Sequence, residues 1–413
     1  MIFLIVIERF TIMFRTYTIT EYNSFVSDST TSKEYVSMNY SDFVCLENFI
    51  LSNSQVADFM NISFKKNVGK IISVKNYVGT IFINHQFSIE ILPKIYTYQN
   101  DIVSTKKVLL NMLKNLSDMP FKSFQKAFLQ VDKLPMLDIF ISEFLNQVDI
   151  LIKSNLLNDY SKKLQNDNFL KGKLDFSNQI KYNSIHKERF FTQKDIFSLD
   201  CFENRILKST LTLLLDYTNN FKSVIQEYLC YFKDVKTLFS VQKDILKYRT
   251  TSKNVQYKDI LKWCEIFLNG YGFTNFLGEN YSYPLLFPMQ KVFESYVANL
   301  VRKRVPKEYT VKLQDRTFFL IDTPKSKFAI IPDIVLKTPT DTIILDTKWK
   351  MLNPKLINYG ISQQDMYQMY VYAKKYNSKK VILIYPLSND EFKNKDISWF
   401  TEDISIQVEF IEL

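Results

Sequence analysis

Glycine is scarce in this chain, 7 of 413 residues, and neither Gly-Lys pair (Gly69-Lys70, Gly172-Lys173) sits in a G-x-x-x-x-G-K-[ST] loop. The chain therefore has no nucleotide-binding P-loop of its own. Histidine is scarcer still, with only His85 and His186, and Cys45, Cys201, Cys230 and Cys264 lie far apart with no CxxC. That argues against a Cys/His zinc site and a four-cysteine iron–sulfur cluster. Free thiols in a reducing cytoplasm are the expected state. No run spans a bilayer. The amino-terminal MIFLIVIERF is short, has no basic region before its apolar run and carries Glu8 directly after it. It reads as a first strand, or as an over-called start upstream of Met13, rather than as a signal peptide, and no membrane contact is expected.

A hydrophobic content of 46%, with 15% aromatic residues, belongs to a folded protein. The length makes room for two or three cores. A net charge of +10 permits an acidic partner such as nucleic acid without demanding one. The expected architecture is α+β and multidomain. It has a β-rich amino-terminal domain over 1–100, a helical middle region over 101–280 and a carboxy-terminal α/β domain over 281–413.

In the first, Lys70–Val74, Thr80–Ile83 and Phe87–Leu92 are short apolar runs with turn residues between them, at Asn76–Gly79 and Asn84–Gln86. Ser41–Met60 reads as an inserted helix, and Glu90 with Lys94 as a surface pair. In the middle, Val103–Leu116 and Leu137–Lys153 have helical periodicity, the second with an Ile139, Phe140, Phe144, Leu145, Val148 stripe for a helix–helix core. A basic stretch with Lys181, His186, Lys187 and Arg189 reads as a solvated connector or a phosphate contact. Asp200 is a helix cap for Ile206–Thr218, and Glu203 with Arg205 a salt bridge. Asn269–Gly272 and Pro284–Pro288 mark a boundary.

The informative stretch is IIPDIVLKTPTDTIILDTKWK, Ile330–Lys350. Phe328–Lys337 and Thr342–Lys350 flank the turn residues Thr338–Asp341, which predicts a β-hairpin. Asp333 and Asp346 are equally far from the turn centre, so a regular hairpin sets them opposite each other. Strand alternation puts Lys348 on the face of Asp346. Two carboxylates and an ammonium at one point suit Mg²⁺-dependent phosphodiester hydrolysis; by itself the pattern equally suits a solvated hairpin. Its flanks run helix (Gln290–Arg304, with Glu294), strand, hairpin, helix (Ser362–Tyr376), strand. On the last helix Gln368 and Tyr372 share a face, which also fits a core tyrosine beside a solvated glutamine. Asp365 could join that face.

The PD-x₁₂-D-x-K pattern resembles the PD-(D/E)xK nuclease signature, and Gln-x-x-x-Tyr the motif of RecB-type nucleases. Further stretches resemble the McrC family, the nuclease subunit of the McrBC modification-dependent restriction system. These are Lys75-Asn-Tyr-Val-Gly79, Ile89-Glu-Ile-Leu-Pro-Lys-Ile95, Gly172-Lys-Leu-Asp175, Glu203-Asn-Arg205, Phe293-Glu-Ser-Tyr-Val297 and Asp365-Met-Tyr-Gln-Met-Tyr-Val-Tyr372. The resemblance covers roughly residues 35 to 413. Residues 1–34 match nothing in it, and Asn155 stands where glycine is expected.

The resemblance implies a restriction-endonuclease-like αβββαβ core. It implies Asp333 and Asp346 as ligands of Mg²⁺ (or Mn²⁺ in its place), Lys348 as the residue positioning water, and Glu294 and Gln368 as accessory catalytic residues. It also implies a partner, a McrB-like AAA+ GTPase hexamer that binds GTP, is stimulated by the amino-terminal part of this chain, and brings modified double-stranded DNA. A stand-alone RecB-type DNA nuclease and a non-cutting adaptor that activates a motor are the alternatives.

Overall fold

The computed structural model describes residues 15–28, 34–83, 87–95, 101–116, 120, 134–238, 252–269, 282–401 and 403–413. The start of the chain and the turns expected at Asn84–Gln86 and Asn269–Gly272 lie wholly or largely outside them. Contacts divide the chain into two units, Met1–Met136 with Gly272–Leu413, and Leu137–Tyr271.

The first unit opens with β1 (Arg15–Thr20), β2 (Ser24–Ser27), β3 (Val36–Met38), α1 (Tyr40–Ser52), β4 (Met60–Lys65), β5 (Gly69–Val74), β6 (Tyr77–Ile83), β7 (Phe87–Leu92) and α2 (Ile102–Leu113). The expected helix over Ser41–Met60 stops at Ser52; a 3₁₀ turn, Ser54–Asp58, leads into β4. One sheet runs β3-β2-β5-β4; in the other, β7 lies between β1, parallel, and β6, antiparallel. Every residue of β7 is buried, so the strand has no polar face and alternation cannot place its side chains. Glu90 is therefore no surface residue. It accepts a hydrogen bond from the Met136 N–H at 2.6 Å and pairs with Lys106 of α2, not Lys94, at 2.6 Å.

The second unit contains α3 (Met136–Lys153) from its second residue on, β8 (Asp159–Asp167), β9 (Lys173–Leu174), α4 (Phe176–Asn183), β10 (Phe190–Ser198), α5 (Phe202–Leu214), α6 (Lys222–Tyr231) and α7 (Lys258–Asn269). The predicted stripe on α3 is buried, with Phe140 against Trp263 and Phe144 against Phe267 at 6.3 and 5.5 Å between ring centres. Asn155, just past α3, adopts φ +74°, a left-handed conformation that asparagine tolerates where glycine is usual.

The region is not purely helical, because β8, β10 and β9 form a three-stranded sheet. The sequence of β8, DYSKKLQND, is exposed along most of its length and carries no apolar alternation to reveal it. Nor does Glu203 pair with Arg205. Arg205 makes a bidentate bond to Asp200 (2.7 and 2.8 Å), and Glu203 accepts from the Asn254 side chain (2.7 Å). Arg205→Lys keeps the charge but loses the planar fork, and should lower stability by roughly 1 kcal/mol in a urea titration.

The first unit resumes with β11 (Ser282–Pro288), α8 (Met289–Arg304), β12 (Thr310–Leu313), β13 (Phe318–Ile321), β14 (Lys327–Ile330), β15 (Ile334–Lys337), β16 (Thr342–Thr347), α9 (Gln363–Tyr376), β17 (Lys380–Pro386), β18 (Ile397–Phe400) and β19 (Ser405–Ile411). β11 pairs with β6 and completes the order β1-β7-β6-β11. The other strands form a mixed sheet, β12-β15-β16-β17-β19-β18, with β13–β14 as a separate two-stranded ribbon. Val335, Ile344, Val381 and Leu383 of that sheet pack with Met369, Tyr372 and Ala373 of α9. The architecture is mixed α+β with several sheets, and no helix among the described residues is long and apolar enough to cross a membrane.

Candidate active site

The β15–β16 register follows from its turn, closed by Thr338 N–H to Asp341 O and Asp341 N–H to Thr338 Oγ1, both 2.9 Å. Ile334 pairs with Leu345 and Lys337 with Thr342. One step further along the same register, Asp333 stands opposite Asp346. The expected single strand Phe328–Lys337 is interrupted, however. Pro332 has no N–H for a ladder, and β14 ends at Ile330 before β15 begins at Ile334. The freed carbonyls find partners: Ile331 O accepts from the Tyr372 hydroxyl and Asp333 O from the Gln314 N–H, both at 3.0 Å.

The Asp333 carboxylate accepts from both the N–H and the hydroxyl of Thr347 at 2.7 Å, and from the Gln314 amide at 3.2 Å. The same Gln314 amide donates to Glu294 of α8 at 2.6 Å. Gln314 has φ +48°, unusual for a residue other than glycine, and this turn off the end of β12 carries its side chain between the two acids. Asp346 is only 2% exposed, and Lys348 Nζ makes an ion contact with its Oδ2 at 2.5 Å. Lys348 Nζ also donates to Gln368 Oε1 at 3.1 Å, and the Gln368 amide donates to the Tyr372 hydroxyl at 2.6 Å.

All five residues singled out in the sequence thus lie around one point: Gln314 bridges Glu294 and Asp333, Lys348 bridges Asp346 and Gln368, and the charge of Asp333 reaches Asp346. Asp365 does not join by contact. It forms a capping box with Ser362 at the start of α9, and only its charge reaches Asp346. Gln314 and Thr347 were not foreseen; no local spacing marks either.

The electrostatics are strained. Burial first, then the charge of Asp333, pushes the Asp346 carboxyl up to about 7, against the partial relief given by Lys348. Burial first, then Asp333 again, pushes Glu294 up to about 7 as well. Clustered carboxyls with raised values are a frequent mark of functional sites. No group of three or more His, Cys, Asp or Glu able to hold a metal ion occurs among the described residues. The oxygen donors at this point are the two carboxylates of Asp333 and Asp346.

A family model described as "McrBC 5-methylcytosine restriction system component" matches residues 72–386, most of the chain. The chain belongs to that family. In fold, this McrBC family member is similar to a chain of a half-complex refined from a tetradecameric assembly of Thermococcus gammatolerans McrB AAA+ hexamers with bound McrC. The TM-score is 0.70 at 16% identity, over 96% of this chain and 95% of that one. A second chain, from the T. gammatolerans McrBC complex, matches with a TM-score of 0.52 at 16% identity, over 71% of this chain and 88% of that one. A comparison with curated proteins finds no match. The resemblance to McrC read from the sequence is borne out by the family match and by these folds.

Proposed function

We propose that this McrBC family member is the DNA-cutting subunit of a GTP-dependent restriction complex that acts on modified DNA. Its C-terminal mixed sheet would be a PD-(D/E)xK core. The partner would be a McrB-like AAA+ GTPase that binds GTP and is stimulated by this chain, in keeping with the absence of a P-loop here. The observation that carries the reading is the convergence of Asp333, Asp346 and Lys348 at the open end of one hairpin, with Gln368 and Glu294 closing on them from two helices.

Asp333 and Asp346 would hold Mg²⁺, which supplies charge neutralisation at the phosphate and a more acidic bound water. The chain's own residues do the rest. Gln368 accepts from Lys348 and fixes its ammonium beside Asp346, where it faces charge that builds on the scissile phosphate. Tyr372, whose ionisation is strongly disfavoured by burial and by Asp346, stays a neutral hydroxyl that accepts from the Gln368 amide and donates to Ile331 O, anchoring Gln368. Thr347 and Gln314 hold Asp333 in one orientation. Glu294, with a value near neutrality, has the affinity to exchange a proton at working pH.

The test is cleavage of methylated and unmethylated plasmid in Mg²⁺, with the partner GTPase and GTP supplied or withheld in turn. Cutting of methylated DNA in the complete mixture alone is expected. Cutting by this chain unaided would make it a stand-alone nuclease. GTPase stimulation without any cutting would make it an adaptor.

A further inference from the structure

Trp349 follows Lys348 directly, at the point where β16 has ended and the Lys348 N–H makes its bond to Ile384 O at 2.9 Å. Its indole is buried. One side packs on Phe293, the residue before Glu294, with ring centres 5.2 Å apart. Its Nε1–H donates at 2.6 Å to Glu21 Oε1, across 328 positions of sequence. Trp349 therefore follows the residue that places the ammonium and packs on the chain neighbour of the residue that places a carboxyl.

Glu21 lies just past β1 and is fixed by the amino-terminal sheet. Its N–H donates to Leu92 O at 2.9 Å, and its Oε1 also accepts from the Lys94 N–H at 3.0 Å. Those partners belong to the Ile89-Glu-Ile-Leu-Pro-Lys-Ile95 stretch. The carboxyl is 1% exposed, and its second oxygen, Oε2, has no hydrogen-bond partner among the described residues. Burying a carboxyl with one oxygen unsatisfied is costly. An apolar residue at this position would fill the space without that cost, so a role beyond packing is called for. Burial also pushes its value up to about 7, a further sign of a poorly solvated acid.

The geometry points to Glu21 as a positioning residue of the cutting site. It acts from the amino-terminal sheet through Trp349, and holds Lys348 and Glu294 at their working separation from Asp346 and Asp333. The inference rests on the proposed nuclease function. It adds that the amino-terminal sheet is part of the active site's support, so the two cannot be separated without loss.

The experiment uses the full chain with its GTPase partner, GTP and methylated plasmid. It compares wild type, Glu21→Leu, Glu21→Gln, Trp349→Phe and the Glu21→Leu/Trp349→Phe double variant. Rates are followed against Mg²⁺ concentration, with thermal melts and partner GTPase activity alongside. A small misplacement of catalytic groups by a distant substitution can cost up to roughly 100-fold, so Glu21→Leu and Trp349→Phe should each cut about tenfold slower. The double variant should be no worse than either, because both remove one interaction. Glu21→Gln keeps an acceptor oxygen and should stay within about threefold of wild type. Glu21→Leu should melt no lower than wild type, since it removes the unsatisfied carboxyl, and GTPase stimulation should hold in every variant.

Normal cutting by both single variants would overturn the inference while leaving the nuclease reading intact. So would losses that multiply in the double variant, or that only track unfolding. A wild type that does not cut would overturn both.

Discussion

Asp346→Asn is expected to melt at a higher temperature than wild type and to cut DNA at a rate lower by ~10³-fold or more. The two effects have one cause. Asp346 is 2% exposed and faces Asp333, and its carboxyl is pushed up to about 7 from an ordinary 3.8. A raised value means that folding opposes ionisation. This group's contribution to stability is most favourable below the unfolded value, declines as pH rises towards about 7, and stays unfavourable above it.

The gap corresponds to a cost of at most roughly 4 kcal/mol. Asparagine has the same shape and no charge, but it also gives up the Lys348 ion contact, so a net gain of about 1–2 kcal/mol is expected, a few degrees in melting temperature. The gain should be full at pH 8 and shrink towards pH 4. Added Mg²⁺ should then stabilise wild type and leave Asp346→Asn unmoved, since an ion bound only to the folded state shifts its stability by mass action. Thermal melts at pH 5 and pH 8, with and without Mg²⁺, check this beside the cleavage assay. A variant that melts lower at pH 8 would show that the Lys348 contact outweighs burial; one that still cuts would show that the site lies elsewhere.

The parts of this site that could be read from the sequence are those set by local geometry. The β15–β16 register follows from counting outward from Thr338–Asp341, and the hairpin indeed pairs so that Asp333 and Asp346 come opposite. Gln368 and Tyr372 meet because four residues make one helical turn, and their bond confirms it. What could not be read depends on distant chain. Trp349 meets Glu21 across 328 positions, and nothing near either residue announces it. Gln314 reaches two acids only because its backbone turns left-handed after β12.

β11 was hidden for another reason. Its sequence, SYPLLFP, carries Pro284 and Pro288 and so reads as a boundary. Among the described residues it is an edge strand of its sheet, where missing N–H groups are tolerated. Glu90 misled in the opposite direction. A glutamate between isoleucines suggests a polar face, but β7 is covered on both sides and the charge is met inside by Lys106.

The largest loss of stability from a single methyl group is expected at Gly79. It pairs across to Leu286 of β11 and has φ +132°, and an added Cβ would stand 2.0 Å from the Leu285 carbonyl oxygen. Backbone on both sides is held by sheet hydrogen bonds, so neither strand can yield without breaking the β6–β11 pairing. Gly79→Ala combines a forbidden conformation with a backbone clash, and should cost at least about 3 kcal/mol.

Gly69 is the internal comparison. It also has a left-handed φ, +94°, but nothing lies within 4 Å of its missing Cβ. Gly69→Ala should therefore cost only about 1 kcal/mol, the conformational part alone. Urea titrations of the two variants check the difference, and hydrogen exchange locates it, with Ser282–Pro288 losing protection in Gly79→Ala and keeping it in Gly69→Ala. β11 runs directly into α8, where the Met289 N–H is held by Asn76 O at 2.9 Å and Glu294 follows five residues later. A break at Gly79 therefore frees the helix that carries Glu294, and cutting should fail at temperatures below the melting transition. If Gly79→Ala cuts normally up to its melting point, the strand does not govern the helix and Glu294 is held by its own contacts alone.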